Sequence, residues 1–246
     1  MLNDLLLPEM NETTASIESL FTGKIRELVP AGSDDWWDKS WRTAFYKEPA
    51  VGQAWLGYEG FRTDEQADRK AHGGVDRAVC VYPDEHYAYW RGELGIPDLP
   101  HGAFGENITV GGLPEDRACI GDLFGLGDLL LQVSQPRQPC WKLARRWRVK
   151  DLTARVEQTG FTGYYFRVLH HGTVQAGDRL TLLERPLPLW TITRCNEIMT
   201  HRKKDAGASR ELASCPLLAG AWRDALWARA ERGEGLSSAA RLEQPQ

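Results

Sequence analysis

The chain has 246 residues and a formal net charge of −4. That length builds one large core, or one core with a small appendage, and the acidic balance excludes a uniformly basic nucleic-acid-binding surface. No stretch approaches the roughly 20 apolar residues that span a bilayer. The Leu2 to Leu7 patch is cut by Asp4 and lacks the basic start of a signal peptide, so a cytoplasmic protein with neither a membrane nor a nucleic-acid partner is expected.

Residues 1–20 read as an N-terminal lead-in, mobile over part of its length. From Phe21 to about Glu184 the apolar segments are short and broken by turn residues. The pattern predicts strands near residues 24–29, 54–58, 78–82, 107–110, 122–125, 129–134, 163–169 and 178–183. Gly121-Asp122, Gly127-Asp128 and Gly177-Asp178 read as turns feeding strands. Trp36, Trp37 and Trp41 are candidates for a pocket cover, a dimer contact or plain core. Helical spacing appears over residues 84–94, which Gly95 can stop, and over 151–158, which Asp151 can cap. After Pro186-Leu187-Pro188 the texture changes. Helices are predicted over 191–200, 208–213 and 217–232, the last with Trp222, Leu226 and Trp227 on one side. The expected fold class is mainly β with α: a barrel-like core over residues 21–186, a small three-helix module over 187–234 and a flexible tail over 235–246.

The five cysteines, Cys80, Cys119, Cys140, Cys195 and Cys215, are odd in number and show no C-x-x-C spacing, which argues against a disulfide framework or a structural zinc site. Cys80 sits in an apolar run and reads as a small hydrophobe. Cys140 differs. It follows Ser134-Gln135-Pro136-Arg137-Gln138-Pro139, where two prolines force an extended loop, and a helix can start at Trp141. Helix dipole, Arg137 and Lys142 all favour a thiolate there, which is a soft metal ligand. A buried structural cysteine is the alternative.

Three other segments can carry chemistry. In His72-Gly73-Gly74-Val75-Asp76-Arg77 the glycine backbone, His72 and Arg77 can hold an oxygen-rich anion, or the segment is a turn with an Asp76–Arg77 surface pair. Glu106 and Asn107 follow Gly102-Ala103-Phe104-Gly105 and either reach a ligand or simply lead into a strand. Arg167 lies in an apolar, aromatic strand, paired in the core or aimed at an anion. No P-loop, G-x-G-x-x-G or G-x-S-x-G is present.

Taken in order, these segments resemble the MOSC family, the domain named for the C-terminal part of molybdenum-cofactor sulfurase. The resemblance is to its YiiM-like bacterial branch, associated with resistance to hydroxylaminopurine. It rests on His72 to Ala78, Tyr82-Pro83 with His86-Tyr87, Phe104 to Asn107, Ile120 to Asp122, Val133 to Arg137 with Pro139-Cys140, and Gly172 with Gly177-Asp178. It runs from about Thr22 to Glu184, and the helical tail resembles the three-helix module of that branch.

The resemblance implies a β-barrel-like core and an oxidoreductase that binds a molybdenum cofactor (molybdopterin) through Cys140 as metal ligand. The implied reaction is reduction of small N-hydroxylated compounds, such as hydroxylaminopurine-type base analogues, to amines. His72, Arg77, Arg137, Lys142 and Arg167 become candidate cofactor contacts, with Glu106 and Asn107 shaping the pocket. Catalytic roles fall to Cys140 and, as a guessed proton donor, His72. No ferredoxin-type cysteine set is present, so a separate electron-donor reductase is implied. A homodimer is one assembly the sequence allows. The main alternative is a molybdenum-cofactor or persulfide carrier without redox turnover; a non-catalytic interaction protein is a more distant one.

Overall fold

The computed structural model describes residues 14–29, 32 and 35–232. Seven strands close into a barrel: β1 (Thr14–Thr22), β2 (Val79–Pro83), β3 (Ile108–Gly111), β4 (Leu123–Leu126), β5 (Leu129–Pro136), β6 (Tyr164–His170) and β7 (Arg179–Glu184). The order round the barrel is β7-β4-β5-β6-β2-β3-β1. It closes where β1 pairs with β7 through Thr14–Thr181, Ala15–Leu180 and Ser16–Arg179. Every neighbouring pair is antiparallel except β2 and β3. Closure removes the unpaired edges an open sheet would expose. Alternate residues point inward, as a strand's two-residue period requires. Ala15 and Ile17 of β1, Leu129, Leu131 and Val133 of β5, and Tyr164, Phe166 and Val168 of β6 meet in one core.

The lead-in expected through residue 20 is corrected here. Residues 14–20 belong to β1, whose apolar alternation is short enough to be overlooked in sequence but is completed by pairing on both sides. The tail expected over 235–246, and Ser33-Asp34 just ahead of Trp36 and Trp37, lie outside the described residues. Strand β5 also runs two residues past the expected stop at Ser134. A bulge between Val133 and Gln135 lets the ladder continue to Pro136.

Four helices lie between the strands: α1 (Arg69–His72), α2 (Tyr87–Leu94), α3 (Lys142–Trp147) and α4 (Leu152–Thr159). Gly95 ends α2 at φ 63°, the left-handed cap expected of it. A second core joins α2, α3 and α4 to the barrel mouth. Tyr82 and Phe104 stack there with ring centroids 4.2 Å apart, and Trp90, Leu143 and Leu152 are fully buried. This aromatic layer anchors the loop between β5 and α3, which carries Cys140.

The C-terminal helices are α5 (Ile192–Asn196), which continues as a π-turn over Glu197–His201, then α6 (Ala206–Ala213) and α7 (Gly220–Arg232). Thr191 and Asp205 cap α5 and α6 by accepting from the amides of Arg194 and Ala208. Ile192, Ile198, Leu212, Leu218, Trp222 and Leu226 belong to the same apolar cluster as the barrel interior. The module is therefore welded to the barrel rather than tethered to it. Trp227, expected on the buried side of α7, is 37% exposed; only Trp222 and Leu226 reach the core. Among the described residues, no helix is long and apolar enough to cross a membrane.

Candidate functional site

One mouth of the barrel opens into a narrow cleft, continuous with a wider outer hollow that shares His72, Arg77, Cys140 and Lys142 with it. Strands β2 and β3 begin at this end and β1 finishes there, while β6, antiparallel to β2, passes it with Tyr165 opposite Cys80, and the loop after β5 carries Arg137 and Cys140. Their connecting loops therefore supply the walls. Six of the eight residues expected to contact a cofactor line the cleft: His72, Arg77, Asn107, Arg137, Cys140 and Lys142.

Each is placed by identifiable local chemistry. Cys140 lies just before α3; its carbonyl accepts from the Leu143 amide and from Thr153 Oγ1 at 3.1 Å each. This pins the cysteine, 8% exposed, to the wall. His72 ends α1, which is capped by Asp68 accepting from the Ala71 amide. Gly73 and Gly74 then turn the chain. A Cβ at Gly73 would stand 2.7 Å from the Arg69 carbonyl oxygen, and Gly74 has φ 97°, a conformation only glycine adopts easily. Arg77 follows on the resulting 3-10 turn. Asn107 stitches the mouth together. Its Oδ1 accepts from the Cys80 amide at 3.1 Å, and its Nδ2 donates to the Phe21 carbonyl at 3.2 Å and to Asp64 Oδ2 at 2.9 Å.

Two expected contacts are not brought into the cleft. Glu106 is fully buried beside it. It accepts from the Tyr87 hydroxyl, from the Gly102 and Phe104 amides at 2.7 and 3.1 Å, and from Thr109 Oγ1 at 3.0 Å. Three of these bonds end on Oε1 and one on Oε2, so the carboxylate is committed to building the loop and does not line the cleft. Arg167 pairs with Asp76 at 2.7 Å and also donates to Gln132 Oε1 and the Leu217 carbonyl. The Asp76–Arg77 surface pair is thereby also corrected: Asp76 faces Arg167 and, through its other oxygen, the Gly220 amide at 3.2 Å. The loop before Arg77 is thus fastened to the start of α7.

The cleft is electropositive. Arg137 is buried and donates to the Phe104 carbonyl at 2.6 Å, while the ion pairs found among the described residues involve other cations. His72 records this field. Burial first, then Lys142 and Arg137, depress its pKa to about 3. The imidazole is thereby held toward its neutral form at physiological pH, which weighs against His72 as a ready proton donor. Gln135 Oε1, on the wall of the outer hollow, is a buried acceptor with no donor among the described residues; such a group awaits a ligand or water.

Sequence reasoning missed several lining residues. Lys47 and Asp64 form a buried ion pair on the wall, but both precede β2 in stretches with no motif. Tyr165 and Cys80 also line the cleft. Cys80 was read as a plain hydrophobe; burial raises its pKa despite the nearby Arg137 charge, so it stays a neutral thiol. The one signal available was its position next to the glycine-rich turn on the strand entering the mouth.

Comparison with known proteins follows the same lines. Residues 68–181 match the MOSC domain and residues 190–233 match the YiiM-like, 3-alpha helix domain. The chain is 43% identical over 223 residues to YflK of Bacillus subtilis (strain 168), covering 91% of this chain and 98% of that protein. It is 37% identical over 178 residues to a protein of Gibberella moniliformis (strain M3125 / FGSC 7600) named "Reductase", covering 71% of this chain but 32% of that one. The crystal structure of YiiM from Geobacillus stearothermophilus superposes with a TM-score of 0.73 at 36% identity, covering 88% of this chain and 99% of that one.

Proposed function

The chain belongs to the MOSC domain family, with the YiiM-like three-helix module after it, and from that premise we propose that it is a molybdenum-cofactor oxidoreductase reducing N-hydroxylated compounds to amines. The observation that carries the reading is the pairing of Cys140 with Arg77, Arg137 and Lys142 around one cleft. A soft sulfur ligand beside clustered cations suits a thiophilic metal held by an anionic, phosphate-bearing pterin. The donor-free Gln135 Oε1 suits the N–H groups of a pterin ring. Cys140 would be the metal ligand, Arg77, Arg137 and Lys142 the anion contacts, and Gln135 a ring contact. When bound, the group supplies the two-electron chemistry that converts N–OH to N–H.

The chain's own residues bind, orient and control protons. Arg137, buried and held by the Phe104 carbonyl, keeps a fixed positive charge at the inner wall. Asn107 holds β1, β2 and the Asp64 side chain in place around it. An anion arriving among the cations offsets the part of the His72 depression that Lys142 and Arg137 add to burial, so anion binding and proton uptake on that ring are coupled. The electrons come from a separate reductase. The name of the Gibberella relative, which is about three times as long as the matched part, supports a redox role.

The test is metal and pterin analysis of protein expressed in a host that makes the cofactor, with Cys140→Ala beside it. Near-stoichiometric molybdenum in the wild type, with N-reduction lost in a folded variant, is the expected result. A folded Cys140→Ala protein with unchanged N-reduction would overturn the reading. Cyanide-labile sulfur without metal would favour a persulfide carrier instead.

A further inference from the structure

A separate hollow lies beside Trp41, and the proposed function assigns nothing to it. Helix α3 and the residue after it supply Arg145, Arg146 and Arg148, and Lys39 faces them. Asp38 is the one carboxylate on the described wall, and Arg148 already holds it at 2.5 Å. Arg146 is likewise engaged, donating to the Gly102 carbonyl at 2.7 Å.

Arg145 is different. It is 3% exposed, and only its Nε is satisfied, by the Trp37 carbonyl at 3.0 Å. Both terminal nitrogens, Nη1 and Nη2, are buried without a hydrogen-bond partner among the described residues. The guanidinium rests 4.7 Å from the Trp41 ring centroid and 5.8 Å from that of Trp141. Ring faces attract a cation but accept no hydrogen bonds in the guanidinium plane. Burial lowers the pKa of Arg145 and of Arg146, as expected of cations lacking full compensation. A planar fork with two free donors matches the two oxygens of a carboxylate or phosphate. The walls beyond it, Trp37, Trp41 and Tyr46, are flat and largely apolar.

We propose that this hollow is a second ligand site, which takes an oxyanion, carboxylate or phosphate, carried on a flat apolar body. Arg145 grips the oxyanion through Nη1 and Nη2, Arg148 and Lys39 add charge, and the aromatic walls take the body. Trp141 links the two regions: its ring lies tilted against Trp41 of this hollow, centroids 5.3 Å apart, and lines the hollow outside Cys140.

The test is calorimetric titration of the full chain with phenyl phosphate and benzoate, with inorganic phosphate as the ring-free control. Three variants go beside the wild type: Arg145→Met, Arg148→Gly and Arg77→Ala. Arg148 sits at φ 53°, a conformation glycine holds without strain, so Arg148→Gly removes the cation while sparing the helix end. Inorganic phosphate reports the Cys140 cleft, and the expected result is that one of the two ring-bearing anions shows a further, tighter binding event. Arg145→Met weakens that binding at least about tenfold, Arg148→Gly weakens it less, and Arg77→Ala, which alters only the Cys140 cleft, leaves it unchanged. Binding unaffected by both Arg145→Met and Arg148→Gly, or binding lost only in Arg77→Ala, or no binding of either ring-bearing anion, overturns the proposal. None of these outcomes depends on molybdenum content or on Cys140.

Discussion

The loop that carries Glu106 and the segment that carries Arg137 touch at the barrel mouth, since Arg137 donates to the carbonyl of Phe104, two residues before Glu106. Both charges are buried, and both were expected to contact a ligand. Glu106 accepts from two backbone amides and two hydroxyls, so its charge is consumed in shaping the loop. Arg137 lies on the cleft wall with no carboxylate paired to it among the described residues. Arg167 resembles Glu106 in this respect, fully engaged by Asp76, Gln132 and Leu217. A buried charge whose hydrogen bonds are complete is architecture; one with capacity to spare, facing a cavity, is available for binding.

Four experiments sharpen or break that comparison. Glu106→Gln should have the largest effect on the fold. It places an amide donor against N–H and O–H groups that need acceptors, and should cost about 3–4 kcal/mol in urea unfolding. Activity per folded molecule should be retained; an activity loss with unchanged stability would return Glu106 to the site. Arg137→Met should do the reverse. Anion or cofactor affinity falls about 30- to 100-fold, while stability stays level or rises, because an unpaired buried charge is removed. A large stability loss without loss of affinity would show Arg137 to be architecture too.

Arg167→Met should cost about 1–2 kcal/mol, because it strands Asp76 and loosens the start of α7, with cofactor content unchanged. Smallest is the titration of His72. Its pKa of about 3 lies below the ordinary 6.5, so between these values the unfolded chain binds a proton that the folded chain does not. Stability therefore falls as pH drops through that window and is regained above 6.5. The loss should be about 1 kcal/mol between pH 7 and pH 5 after solvent screening, absent in His72→Asn. Adding inorganic phosphate should raise the His72 pKa, followed by NMR of the ring protons. An unmoved resonance would mean that the anion does not sit among Arg137, Lys142 and His72.

The strand rhythm, the helix caps and the segment around Cys140 were legible in the chain alone, because each rests on local chemistry. Alternation sets which strand residues face inward, Thr191 caps α5 and Gly95 takes the left-handed cap, whereas Asp151, expected to cap α4, stands at its start without a side-chain capping bond and holds Arg155 instead. Two prolines and a cysteine ahead of a helix likewise mark an extended loop with a placed thiol. The first strand was hidden by its position near the chain start, and its identity came only from pairing with β3 and β7.

What tertiary structure alone decided is which charged groups were left over. Glu106, Arg137, Arg145 and Arg167 are not told apart by their sequence neighbours, which are Gly105 and Asn107, Pro136 and Gln138, Ala144 and Arg146, and Phe166 and Val168. Their roles were set by partners far along the chain: Tyr87 for Glu106, Phe104 for Arg137, Trp37 for Arg145 and Asp76 for Arg167. Hydrogen-bond satisfaction is a property of three-dimensional neighbourhoods. The sequence by itself determined where a thiol and its cations would be available; the closed barrel decided which of those charges face an open cleft.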